Sequence, residues 1–192
     1  MRHIAPLRHL VVVLAAVFAS ACGMDSHTRS ARAEQELDTL LAALGDAPDP
    51  AIATQVEAQI WSRWSDSGSP TVNVLLERAK SASDAGEVER AYRFLDQASD
   101  LAPDFAEPWN RRANIAYEAE DYSAAIRDIQ EALKREPRHF GALAGLALIY
   151  EELGQDRAAL AAYRAALAIH PYYEIARRGA ERVERRIEGA DA

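Results

Sequence analysis

Hydrophobic positions recur at helical spacing through most of this chain. From 31 to 44, Leu37, Leu40, Leu41 and Leu44 fall on one stripe, and from 51 to 64, Ile52, Val56, Ile60 and Trp64 follow at intervals of four. Such spacings put side chains on one face of an α-helix, because 3.6 residues complete a turn. The stretch GDAPDP (45–50) interrupts the two stripes and makes them a helical hairpin, and SDSGSPT (65–71) reads as the loop that follows it. Near the other end, 172–188 carries Ile175, Val183 and Ile187 on a face otherwise covered by Arg and Glu, as expected of a solvating last helix.

Between these ends the pattern repeats every 34 residues. Pro103, Pro137 and Pro171 are in register, as are Ala79, Ala113 and Ala147, then Ala91, Ala125 and Ala159, then Ala98, Ala132 and Ala166. With 40 Ala in 192 residues the alanines alone decide little, but the chain has only 8 Pro and three hold this period. The units are 72–105, 106–139 and 140–173. The second supplies Trp109, Arg112, Ala113 and Ala116, then Ala125, Ile129, Ala132 and Pro137. The third supplies Leu143, Leu146, Ala147 and Tyr150, then Ala159, Tyr163, Ala166 and Pro171, and the first, a looser match, has Leu75, Arg78, Ala79 and Ala82, then Ala91, Leu95, Ala98 and Pro103.

These residues resemble the tetratricopeptide repeat (TPR) family, whose units read W-x2-L-G-x2-Y, then A-x3-F, then P. The resemblance implies an all-α fold: a right-handed α-solenoid of three helix pairs over 72–173, with an N-terminal helical hairpin and connecting loop (31–71) and a C-terminal capping helix and tail (174–192). Physical chemistry supports it. Small Ala at a helix crossing lets backbones approach, and a Pro after the second helix of each unit forbids its continuation. Gly86 and Gly154 fall where each pair must turn, while the second unit has Glu120-Asp121 there.

Residues 1–21 read as an export signal, with Arg2 and Arg8, an apolar run from Leu10 to Phe18, and Ala19-Ser20-Ala21 as a cleavage site. The only cysteine, Cys22, follows directly, which resembles a bacterial lipobox, although Ala19 stands where lipoproteins usually carry Leu. An ordinary signal peptidase also accepts Ala-Ser-Ala and would leave Cys22 a free thiol. Lipidation of Cys22 is the favoured reading, because a lone thiol in an exported protein otherwise needs its own explanation. Residues 22–30 then form a polar tether. The expected location is the periplasm, lipid-anchored to the outer membrane.

The formal charge of −8, which becomes −10 without the signal, offers no basic surface for nucleic acid phosphates or anionic lipids. One cysteine excludes an internal disulfide and a thiolate zinc site. No catalytic constellation and no cofactor motif is found. His139 and His170, each beside a repeat-ending Pro, are expected to be solvated or bonded to backbone. A metal-binding or hydrolase accessory centred on them is the alternative of another class, and self-association through an incompletely capped array is a third.

In TPR arrays the first helix of each unit lines a concave groove that holds peptides. By position the lining here would include Asn73, Leu76, Lys80 and Ser83, then Asn110, Arg111, Asn114 and Tyr117, then Ala144, Leu148 and Glu151. Asn brackets peptide N–H and C=O groups, Arg and Lys pair with carboxylates, and Tyr offers an apolar face with a polar tip. The Lys and Asn clamp by which chaperone-tail TPR proteins hold a terminal carboxylate is absent, its positions being Leu76, Lys80, Arg111, Gly141 and Gly145. Arg78 and Arg112 replace apolar residues of the motif and are expected either to snorkel or to form an ion-pair ladder with partners such as Asp128. Trp61, Trp64 and Trp109 read as core packing. The function expected is a non-catalytic envelope scaffold that binds an unidentified protein or peptide.

Overall fold

The structure, a computed structural model, describes residues 31–190; the segments expected to be an export signal and a tether, with Cys22, lie outside them. The regular structure of the described residues is helical: α1 (31–45), α2 (Pro50–Trp64), α3 (Pro70–Asp84), α4 (Val88–Leu101), α5 (Glu107–Glu118), α6 (Tyr122–Arg135), α7 (Phe140–Glu152), α8 (Asp156–Ile169) and α9 (Glu174–Ala190). None of these helices is long and apolar enough to cross a membrane. The chain divides into two units at Leu40 and Leu41. In the first, 31–40 is a largely exposed stretch of helix in which Arg32 meets Glu36 one turn on, at 3.2 Å. The second holds everything that follows.

Three helix pairs, α3/α4, α5/α6 and α7/α8, make the array. Each pair turns through one residue in the left-handed region: Gly86 (φ 73°), Glu120 (φ 58°) and Gly154 (φ 68°), spaced by 34. At each turn the next amide reaches back five residues, Glu87 to Ala82, Asp121 to Ala116 and Gln155 to Tyr150, at 2.8, 2.9 and 2.8 Å. That is the bond that closes a helix through a left-handed residue. Second helices end at Leu101, Arg135 and Ile169, and the repeating Pro stands two residues beyond each end.

The nine in-register alanines are all 2% exposed or less, so backbones cross closely at every pair. Leu75, Leu76 and Leu95, joined by Ile115 of α5, fill the space beside them in the first pair, and Ile129, joined by Ile149 of α7, does so in the second; Phe140 and Tyr163 are buried in the third. Helix α9 packs on α8 and α7. Its inward face is Ala176, Gly179, Ala180 and Val183, whereas Ile175, expected inside, is exposed. The reason is the Tyr163 ring: a Cβ at position 179 would lie 2.2 Å from its Cζ, so only the face bearing Gly179 fits against it.

The hairpin also departs from its expected stripe. Leu41, Leu44, Ile60 and Trp64 are buried, but Ile52 is exposed and Ala53 is buried instead. Asp49 caps α2 by accepting the amides of Ala51 and Ile52, both at 2.9 Å. The last turns of α2 lie against the start of α7, where Trp61 and Trp64 meet Phe140.

Candidate functional site: the concave face and its occupant

The first helices of the pairs share one face, on which α5 meets α7 directly. Between α3 and α5 lies a cleft of about 300 Å³, lined by Ala79, Lys80, Ser83, Asn110, Arg111, Asn114 and Ile115, with Asp84, Glu107 and Glu118 among its acids and Trp61 of α2 at its edge. Of the groove residues expected from sequence, Lys80 and Asn114 are exposed and Tyr117 and Leu148 half-buried. Lys80 Nζ lies 2.6 Å from Asp84. The Tyr117 ring packs 6.0 Å from that of Tyr122, and burial raises its hydroxyl above the ordinary tyrosine range.

Apart from Ser83, which lines the cleft, the remaining expected groove residues serve the protein itself. Asn73 closes the loop before α3: its Oδ1 accepts from the Ser67 amide and hydroxyl, at 3.0 and 2.7 Å, and its Nδ2 donates to Asp66. Leu76 and Ala144 are buried. Arg111 donates to Glu107 at 2.7 Å and to the Leu76 carbonyl at 3.1 Å, while the buried Asn110 donates to the other Glu107 oxygen. Burial alone would raise Glu107, but His139 and Arg111 outweigh it and hold the carboxyl below its ordinary value. A buried charge tolerates its loss of water only with such partners.

Glu151 is likewise engaged. Arg182 and Arg186 of α9 reach its Oε1 at 2.6 and 2.8 Å, and the Tyr163 hydroxyl donates to Oε2 at 2.9 Å. The Arg182 hydrogen bond, then those of Arg186 and Tyr163, overcome burial and bring the carboxyl down to about 2. This charge ties the last helix to the array rather than facing a ligand. Its arginine partners lie more than thirty positions along the chain, where no local spacing announces them.

The ion-pair ladder reduces to one rung. Arg112 bridges Asp96 at 2.6 Å and Asp128 at 3.3 Å, linking α4 and α6 through α5, whereas Arg78 is exposed. Burial raises Asp128, with Arg112 opposing. Trp109 is half-buried between two guanidinium groups, Arg112 at 5.2 Å and Arg135 at 4.8 Å from its ring.

The site that the sequence did not announce is the seat of α2. Trp64, 5% exposed, stacks on the His139 ring with centroids 4.1 Å apart and planes at 11°, and also meets Phe140. Trp61 stands edge-on to His139 and Phe140, both at 5.4 Å. A Cβ on Gly141 would lie 2.6 Å from the Trp61 indole, so this glycine admits the ring. One turn earlier, Glu57 lies 3.2 Å from His170 Nε2.

Both histidines are therefore buried, against the expectation of solvated rings, although His139 Nδ1 does accept a backbone bond from Ala142. His139 Nε2 lies 3.7 Å from Glu107. Among the described residues no group of three or more His, Cys, Asp or Glu is placed to hold a metal. Trp64 Nε1, His139 Nε2 and His170 Nδ1 are buried without a hydrogen-bond partner.

The architecture defines a class, the helix-pair solenoid built on a 34-residue unit. A tetratricopeptide repeat family model matches residues 110–174. A TPR repeat-containing protein of Rhizobium etli is 38% identical over 148 residues, which is 77% of this chain and 72% of that protein. The chain belongs to the tetratricopeptide repeat family. In fold it is similar to the Sgt2 TPR domain from Aspergillus fumigatus, with TM-score 0.58 and 23% identity over 64% of this chain and 83% of that one. It is similar also to the first TPR of Spaghetti (RPAP3) bound to HSP90 peptide SRMEEVD, with TM-score 0.59 and 17% identity over 64% of this chain and 96% of that one.

Proposed function

We propose that this chain is a non-catalytic adaptor of the bacterial cell envelope, exported and lipid-anchored through Cys22 to the outer membrane, that holds a segment of another envelope protein in the open part of its concave face. The observation that carries the reading is the cleft between α3 and α5, where Lys80 and Asn114 stand exposed beside the apolar floor of Ala79 and Ile115. Asn114 brackets the amide groups of an extended segment, and Tyr117 and Leu148 continue the surface beyond it. The Spaghetti repeat holds an acidic peptide. Here Lys80 is paired with Asp84 and Arg111 with Glu107, so the charges lining the cleft largely cancel and the segment is held by its amide groups and apolar side chains rather than by an acidic tail.

The test is co-purification from crosslinked envelopes with the natural protein and with a Lys80→Glu, Asn114→Ala variant. Arg111 is left untouched, because its bonds to Glu107 and Leu76 hold the array together. Proteins captured by the natural chain and lost from the variant support the reading; identical captures, or none, reject it. Intact mass tests the anchor separately: two or three acyl chains on Cys22 are expected, and an unmodified Cys22 overturns that part.

A further inference from the structure

One helix already lies on the face assigned to partners. The ring and ion-pair contacts of α2 with the array come from Glu57, Trp61 and Trp64, at i, i+4 and i+7, beside the fully buried Ala53 and Ile60 of the same helix. They meet receptors on other elements: His170 at the end of α8, and His139 and Phe140 at the start of α7. Gly141 leaves room for the Trp61 indole. The hairpin bend adds one bond, from the Tyr172 hydroxyl to the Pro48 carbonyl at 3.2 Å. Trp61 also borders the open cleft, so a segment entering there meets α2 at once.

The seat is shaped for its occupant, yet its polar groups are poorly served. Three buried polar atoms without a hydrogen-bond partner among the described residues cluster here: Trp64 Nε1 on α2, His170 Nδ1, and His139 Nε2, which faces Glu107 across 3.7 Å. Native interiors usually satisfy such atoms, whereas a surface that exchanges occupants has to accommodate more than one. The loop 65–69 that joins α2 to α3 is built of Ser, Asp and Gly, with Gly68 at φ 72°, so α2 is not continuous with a helix of the array.

We propose that the seat of α2 is a helix-binding site which the chain's own α2 fills reversibly, and that a partner helix carrying a carboxylate and two aromatic rings at the spacing of Glu57, Trp61 and Trp64 competes for it. This rests on the concave face being the partner-binding surface and adds the partner's chemistry: an amphipathic helix reads the half that α2 covers, while the extended segment reads the open cleft. Occupation of the seat by α2 is then an internal check on binding.

The probe is a fluorescently labelled, end-blocked peptide of residues 50–64, titrated into the natural full-length chain and into a Trp64→Ala chain. The variant, whose own helix holds less well, is expected to bind the peptide at least tenfold more tightly than the natural chain does. A peptide with both tryptophans replaced by alanine binds neither. Absence of binding to a Trp64→Ala chain of native helix content overturns the proposal, as does collapse of that chain's helix content, because α2 would then be an indispensable part of the core.

Gly141→Ala supplies a second variant that crowds Trp61 while favouring helix in α7. Hydrogen exchange of the α2 amides is expected to accelerate at least tenfold in it, with α5 and α6 unchanged. Unchanged protection of α2 overturns the proposal. No outside partner enters these assays, so their failure is distinguishable from a failure of envelope capture, which is read through Lys80 and Asn114.

Discussion

Glu120 is the residue at which the repeat departs most plainly from its own rule. Gly86 and Gly154 take positive φ at no steric penalty, but Glu120 holds φ 58° with a Cβ in place. Replacing Glu120 by Gly is expected to stabilise the protein by about 1 kcal/mol, read as a higher urea midpoint at unchanged slope; Gly154→Ala is expected to lose a similar amount. Glu151 behaves oppositely, as a residue held by its neighbours. Its folded value of about 2 lies below the ordinary 4.5, so the unfolded chain takes up the proton first. The stabilisation, on the order of 2–3 kcal/mol after screening of its exposed arginine partners, is complete above about pH 4.5 and is lost as pH falls toward 2. Glu151→Gln is expected to remove it at pH 7 and to flatten the acid limb of the stability profile, measured by urea unfolding across pH.

At the scale of elements, the helix pairs were legible because their determinants are local. A Pro two residues past each second helix, a Gly at two of three turns and Ala at each crossing act within their own unit, so a 34-residue period exposes them. Helix α9 was legible only as a helix. Its inward face is set by the ring of Tyr163 in another element, and Ile175 consequently points to solvent while Gly179 faces in. Gly179→Ala is therefore expected to cost about 1–3 kcal/mol by overpacking, despite the gain in helix propensity, and to lower the thermal midpoint by several degrees. An unchanged midpoint would mean that the Tyr163 ring swings aside freely. Asn73 and Glu151 follow the same logic: the repeat frame located them near the groove, but Ser67, Asp66, Arg182 and Arg186 decide what they do.

For the molecule as a whole, the array followed from the sequence and the resting place of α2 did not. Trp64 was legible as a position on a helical stripe and Trp61 as core packing, yet nothing within residues 50–64 indicates that their receptors are His139 and Phe140, some 75 positions later. Long-range pairings of this kind leave no period to read. Gly141 was the nearest thing to a signal, a glycine in the first turn of α7 with no positive φ to adopt.

The disposition of the indoles also makes the protein its own optical instrument. The chain has 3 Trp: two of them stand at the seat of α2, and the third, Trp109, is fixed between Arg112 and Arg135 inside the array. Undocking α2 moves Trp61 and Trp64 into water and away from the His139 ring while Trp109 stays where it is. Gly141→Ala should therefore shift the emission maximum to longer wavelength with the far-ultraviolet circular dichroism unchanged, and a Trp109→Phe background should keep that shift intact. Emission colour would then report the position of one helix, while circular dichroism reports the state of the array.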